Sequence, residues 1–128
     1  MNDKSQAIFL HEDEHSISHK RNTKELEHWI SHLIFIAKEI DYLHKLCKAD
    51  KRKECYFLEI ELDRKKNRNK QLLSTLVKYS KSRDLLNECD DMQCDRLFIH
   101  HHEIYRSKYF RFISEYRAVK EKLFNLIT

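Results

Sequence analysis

Hydrophobic residues along this chain recur at intervals of three and four. Over residues 24–47, Leu26, Leu33, Ile40 and Cys47 fall seven apart, with Ile30, Ala37 and Leu43 interleaved between them. A row of that period lines one side of an α-helix. Thr23 stands where an N-capping hydroxyl belongs. Glu25 and Glu27 occupy the positively polarised first turn, and Lys45 and Lys48 the last. A first helix over 24–48 follows. Residues 1–22 form an extension that either continues this helix or makes a short one of its own, Asn22-Thr23 being the visible break.

The pattern predicts two more helices. Asp50 is placed to turn the chain and cap a helix over 51–88, whose apolar row is Cys55, Leu58, Leu62, Leu72, Leu76, Tyr79 and Leu86. Between Leu62 and Leu72 runs DRKKNRNKQ, without an apolar residue. The row resumes in phase beyond it, so the helix is read as continuous, with Lys65 or Lys66 and Asn69 turned inward. After a turn at Asp90-Asp91, residues 91–127 carry Phe98, Tyr105, Phe112, Val119 and Leu126 seven apart. Tyr109, Tyr116 and Leu123 form a second row. The expected architecture is one all-α domain over 1–128, an antiparallel coiled-coil-like bundle of three long helices. Short turns near residues 49 and 89 make level residues sum to about 99 between the first two helices, and to about 178 between the last two. His32 then faces the Asn69 region, where the pair would make a polar layer that holds the register.

Composition narrows the choice further. The 128 residues include no glycine and no proline. Loop-rich β and α/β folds depend on both, and every glycine-rich phosphate loop is excluded. Charged residues make up 36% of the chain, so no segment suits a membrane span. Four cysteines, with no leader-like N-terminus, suggest reduced thiols in a cytoplasmic protein.

The net charge of +4 is concentrated in residues 49–89, which hold eleven Lys or Arg against seven Asp or Glu. Lys51, Arg52, Lys53, Arg64, Lys65, Lys66, Arg68 and Lys70 are the candidate contacts for RNA or a ribosome, with Arg106, Lys108, Arg111 and Arg117 of the last helix as a second basic set.

Other candidates come from histidine and cysteine. If the first helix runs to the N-terminus, His11, His15 and His19 lie on one face, directed toward a turn flanked by Cys89 and Cys94. His100, His101 and His102 lie one or two turns further in, with His101 or His102 turned inward. Imidazole and thiolate are the ligands zinc prefers, and iron shares the imidazole. His11-Glu12-Asp13-Glu14-His15 has the lettering of a zinc-protease helix, without the preceding sheet that binds a peptide substrate. Glu12-x-x-His15 and Glu25-x-x-His28 have di-iron spacing, but both lie in the first third of the chain, and such sites draw ligands from several helices. No nucleophile elbow is present.

Two stretches, Trp29-x-Ser31-x-Leu33-x-Phe35 with Glu39-Ile40 and Leu43, and His102-x-x-x-Arg106 with Phe110, Phe112, Tyr116, Lys120 and Leu123-Phe124, resemble a group of small bacterial proteins of three long helices. The resemblance covers about half the chain. It implies a cytosolic helical bundle and carries no catalytic residue with it. The expected function is non-enzymatic, protein–protein contact or self-association, with no cofactor and no small-molecule substrate. The alternatives are zinc or iron at the His/Cys-rich end, and RNA or ribosome association through the basic middle helix.

Overall fold

The computed structural model describes the backbone of residues 3–88 and 92–128, and the side chains of 17–85 and 92–128. Three α-helices account for nearly all of it: α1 (Asp3–Ala49), α2 (Lys53–Ser82) and α3 (Met92–Ile127), with a 3₁₀ stretch, Arg83–Glu88, after α2. No strand occurs among the described residues. The helices run up, down and up, so α1 and α3 are parallel and α2 is antiparallel to both.

The first helix passes through Asn22-Thr23 without a break. Thr23 is not a cap. Its hydroxyl donates back to the His19 carbonyl (2.9 Å), as a Thr inside a helix can, and it also accepts a hydrogen bond from Arg83 (2.9 Å). The buried row of α1 is Leu26, Trp29, Leu33, Ile36, Ile40, Leu43 and Cys47. Trp29 and Ile36 hold the second-row places expected of Ile30 and Ala37, which lie half-buried on the flank.

The turn into α2 is built differently from the expected cap. Asp50 Oδ1 accepts the Arg52 backbone N–H (3.0 Å), and its carboxylate receives the Arg52 guanidinium (2.9 Å from Nε). The helix therefore starts at Lys53, with Arg52 at its N-cap. The Arg52 hydrogen bonds hold the Asp50 carboxyl at about 2. Cys47 and Cys55 pack on either side of this turn as buried free thiols. Burial foremost, then the nearby Cys55, Glu59 and Asp50, pushes Cys47 up to about 11, so it is poorly reactive as a nucleophile.

The α2 helix runs unbroken through DRKKNRNKQ. Lys66 stays outside and bonds Asp41 of α1 (2.8 Å). Lys65 is half-buried, with its Nζ 3.8 Å from Glu115 of α3. Asn69 is buried, and its Nδ2 donates to the Leu33 carbonyl (2.9 Å). The α-helix stops at Ser82 rather than at 88. There the Ser82 hydroxyl donates to the Tyr79 carbonyl (2.7 Å), the backbone tightens to 3₁₀, and the buried Arg83 reaches across to α1. Leu86, Asp90 and Asp91 lie outside the described side chains.

Asn69 Oδ1 has no hydrogen-bond partner, so this side chain is buried half-satisfied, which is costly. Leucine has nearly the same shape and no polar atom. Asn69→Leu is expected to raise unfolding free energy by about 1–2 kcal/mol, measured by urea denaturation. A fall of that size would show that the amide contributes net stability.

Candidate functional site

The seam between α1 and α3 is polar, and its polar residues repeat with the heptad. Glu25, His32 and Glu39 stand seven apart on α1, and His102, Tyr109 and Tyr116 seven apart on α3. Each pairs with the residue 77 positions later: Glu25 with His102 at 2.7 Å, His32 with Tyr109, and Tyr116 with Glu39 at 2.5 Å. One turn on, Arg106 and Lys120 close salt bridges to the same two carboxylates, at 2.7 and 2.8 Å. Trp29 fills the space between the first two rungs. Its ring stacks on His102 (5.0 Å between centroids) and on Tyr109 (5.3 Å).

The first rung extends into α2. His102 is wholly buried. Its Nε2–H donates to Glu25, and its Nδ1 accepts from the Tyr79 hydroxyl at 2.7 Å. Tyr79 Oη in turn accepts from Arg83 Nη1 (3.0 Å), and Arg83 Nη2 donates to the His19 carbonyl and to Thr23 (2.9 Å each). This chain of donors and acceptors closes only with a neutral, Nε2-protonated imidazole. A second proton on Nδ1 would face the Tyr79 hydroxyl proton.

Electrostatics agree with that assignment. Burial lowers the His102 pKa, with the Arg83 and Arg106 charges acting the same way against the pull of Glu25. Burial likewise leads in lowering His32. For Glu25 and Glu39 burial works against ionisation, but the hydrogen bonds from Arg106 and His102, and from Lys120 and Tyr116, outweigh it. Both carboxyls titrate below their usual range. Burial pushes the Tyr79, Tyr109 and Tyr116 phenols upward, so all three stay protonated donors or acceptors.

A Tyr–His–Glu chain resembles a general acid–base relay, but here both imidazole nitrogens are occupied by protein and the ring is sealed from solvent. Only the outer edge of the rung reaches the surface. There Glu25, Arg106 and Glu103 border a shallow depression of about 430 Å³ with Arg21 and Ser18.

The His/Cys candidates do not assemble. His101 is exposed, and the inward residue is its neighbour His102. His19 lies 3.2 Å from Asp95. Cys94 is disulfide-bonded, which corrects the expectation of a free thiolate there. His11, His15 and Cys89 lie outside the described side chains. Among the described residues no group of three or more His, Cys, Asp or Glu is arranged to hold a metal ion. His32 and Asn69 are not partners: His32 bonds Tyr109, and Asn69 bonds backbone.

The basic candidates divide among faces. Lys51, Arg52 and Lys53 ring the first turn. Lys66 bonds Asp41 on the α1 side of α2, and Lys70, one turn further along that flank, is exposed. Arg64, Lys65 and Arg68 border α3. On α3 itself, Arg106 faces α1 while Lys108 and Arg111 face α2. Sequence reasoning missed the ladder altogether. Its signal was the constant offset of 77, visible only once α1 and α3 are known to be parallel neighbours.

No family model, no curated protein and no solved structure matches this chain. No helix among the described residues is long and apolar enough to cross a membrane.

Two outcomes follow from the ladder. Tyr79→Phe leaves His102 Nδ1 and Arg83 Nη1 without their partner, and should cost about 1–3 kcal/mol in denaturant unfolding. Acid should destabilise the fold in two stages. His102 and His32 have depressed folded pKa values, so the unfolded chain binds those protons first and stability declines as pH falls below about 6.5. Glu25 and Glu39 add stability above about 4.5 that is lost as pH falls through their folded values. In urea midpoints taken from neutral pH downward, His102→Gln should reduce the first stage to the part due to His32, and keep most of the second, which Arg106, Lys120 and Tyr116 sustain. A midpoint that rises on acidification contradicts the neutral assignment.

Proposed function

We propose that this protein is a helical interaction module, and that the outer groove of the α1–α3 pair receives a partner helix. One observation carries the reading. Just outside the polar ladder, each of the two parallel helices presents a heptad row containing exposed aromatic rings. On α1 the row is His28, Phe35 and Tyr42; on α3 it is Phe110, Arg117 and Phe124. Phe35 is 56% exposed, Tyr42 67%, Phe110 56% and Phe124 40%. Single exposed apolar residues are common on any surface, but aromatic residues in register along two neighbouring helices make a continuous strip. The next position beyond the ladder's last rung on α1 is the exposed Leu46, so the strip continues toward the α1 C-terminus. Three helices leave such a groove open, and an amphipathic fourth helix fills it with anchors at i, i+3, i+4 and i+7.

Charge indicates the partner's character. Lys38 and Lys45 flank the α1 row, and Lys45 leans over the Tyr42 ring at 5.7 Å. Arg117 stands within the α3 row. Glu39 is already held by Lys120, which leaves Glu121 as the opposing charge beside Phe110 and Arg117. An apolar helix edged with acidic residues complements this face.

The test uses two fluorescent three-heptad peptides with leucine at the seam positions, one flanked by Glu and the other by Lys. The Glu peptide should bind the intact protein at least about tenfold more tightly by anisotropy. Phe35→Ala combined with Phe110→Ala should weaken it about tenfold or more while leaving melting nearly unchanged. Equal binding of both peptides, or binding that ignores the double variant, overturns the proposal. So does a dimer in light scattering that the double variant dissociates, since the face would then be occupied by a second copy.

A further inference from the structure

The groove between α2 and α3 differs from the other two in its charge. Along the inter-helix grooves, cations meet carboxylates: Lys66 with Asp41, Lys65 with Glu115, Arg106 with Glu25, Lys120 with Glu39 and Lys122 with Glu61. Midway along the α2–α3 groove this stops. Arg68 of α2 and Lys108 and Arg111 of α3 line a cleft of about 330 Å³ with no acidic residue in its wall. Among the described residues none of the three has a carboxylate within ion-pair distance. Arg64, one turn from Arg68, has none either and borders the adjoining depression.

The convergence follows from the antiparallel register. Lys65 meets Glu115 and Tyr79 meets His102, so level positions sum to about 180 and Arg68 comes opposite Arg111. Gln71 and Lys108 are level one turn away. Leu72 and the buried Phe112 form an apolar floor.

We infer that this cleft binds a compact anion carrying two linked phosphate groups. Three fixed positive charges match the roughly three negative charges of a diphosphate near neutral pH. The two guanidinium groups offer planar forks of N–H donors that suit phosphate oxygens, and Lys108 supplies a point charge. The Gln71 amide adds a neutral donor. The Thr75 hydroxyl proton is already given to the Gln71 carbonyl (3.0 Å), so Thr75 shapes the wall without donating to the ligand. The volume lies at the lower end of small-ligand sites, which favours a head group over an extended chain. In the empty cleft the cations repel one another, and an anion reverses the sign of that interaction. This inference does not depend on the α1–α3 face, whose residues lie on the opposite flank of α3.

The experiment is an NMR titration of the intact protein, observing Arg Nε–H and backbone amides, with inorganic pyrophosphate and separately with ADP. Saturable one-to-one binding with the largest shifts at Arg68 and Arg111 is expected. Arg68→Gln and Arg111→Gln should each weaken it about tenfold, while Lys51→Gln, at the far turn, leaves it unchanged. Tighter binding of ADP than of pyrophosphate places a nucleoside on the Leu72–Phe112 floor; equal binding means the diphosphate alone is recognised. Without ligand, both Gln variants should melt as the parent does. Absence of saturation at about 1 mM, shifts spread evenly over Lys51, Lys53 and Lys70, or a marked drop in melting for the unliganded variants overturns the inference. RNA binding that strengthens with length and ignores both substitutions also overturns it, as it would indicate diffuse attraction to a polyanion.

Discussion

The hydrogen bond from His102 to Glu25 organises this bundle. It joins the two parallel helices, and through Tyr79 and Arg83 it ties both to α2. The fold can bury an imidazole completely only because every polar atom of the ring is satisfied, and that requires all three helices in one register. A slip of α3 by one heptad would place Glu39 opposite Tyr109 and remove Lys120 from its reach. It would also leave His102 beside His32, with no carboxylate to receive its proton. Apolar rows alone tolerate such a slip, because leucine meets leucine again after seven residues. The polar rungs do not, and they discriminate among arrangements that hydrophobic burial leaves nearly equal.

With the register set, the three outer grooves acquire distinct characters. The α1–α3 groove has its charges neutralised in the ladder and displays aromatic rings beside it. The α1–α2 groove is closed by the Lys66–Asp41 bridge and the approach of His44 to Asp63. The α2–α3 groove carries unmatched cations in its middle and matched pairs at Lys65–Glu115 and Lys122–Glu61. The absence of glycine and proline leaves long uninterrupted ridges as the surface available for contact. The grooves differ only in the residues that border them.

Much of this architecture was legible in the heptads. The seven-apart row Leu26, Leu33, Ile40 and Cys47 and the rows of α3 follow directly from spacing, whereas the second row of α1 falls one residue earlier at Trp29 and Ile36. The continuity of α2 through its polar stretch follows from spacing as well. That stretch carries the inward Asn69 in phase with Leu62 and Leu76. The candidate site was legible only in part. Periodicity indicates that one of two adjacent histidines points inward, but a single residue is 100° of rotation, within the error of any extrapolated row. Thr23 has the composition of a cap and the environment of a helix interior, a difference set by Arg83 arriving from another helix. Turn lengths relate neighbours in sequence, so they locate α2 against α1 and α3 against α2. They say nothing direct about α1 against α3, where the ladder lies. The basic residues of α2 look like one patch in sequence because 3.6-residue winding, which distributes them over two grooves and a turn, is invisible in a charge count.

The constant separation across the ladder also bears on the order of assembly. Contacts between α1 and α2 join residues closer in sequence, 19 apart in His44–Asp63, 25 in Lys66–Asp41 and 36 in Asn69–Leu33, whereas every rung of the ladder spans 77. Closing the longer loop costs only about 1 kcal/mol more in chain entropy. The larger burden is desolvation, because His102 must leave water entirely, and Glu25 and Glu39 in part, before their bonds are complete. Docking of α3 is therefore the step at which water competes most strongly with the protein. A hairpin of α1 and α2 can collapse on apolar contacts in several alignments, and the third helix selects the one in which the ladder's carboxylates and imidazole regain the hydrogen bonds that water gave them.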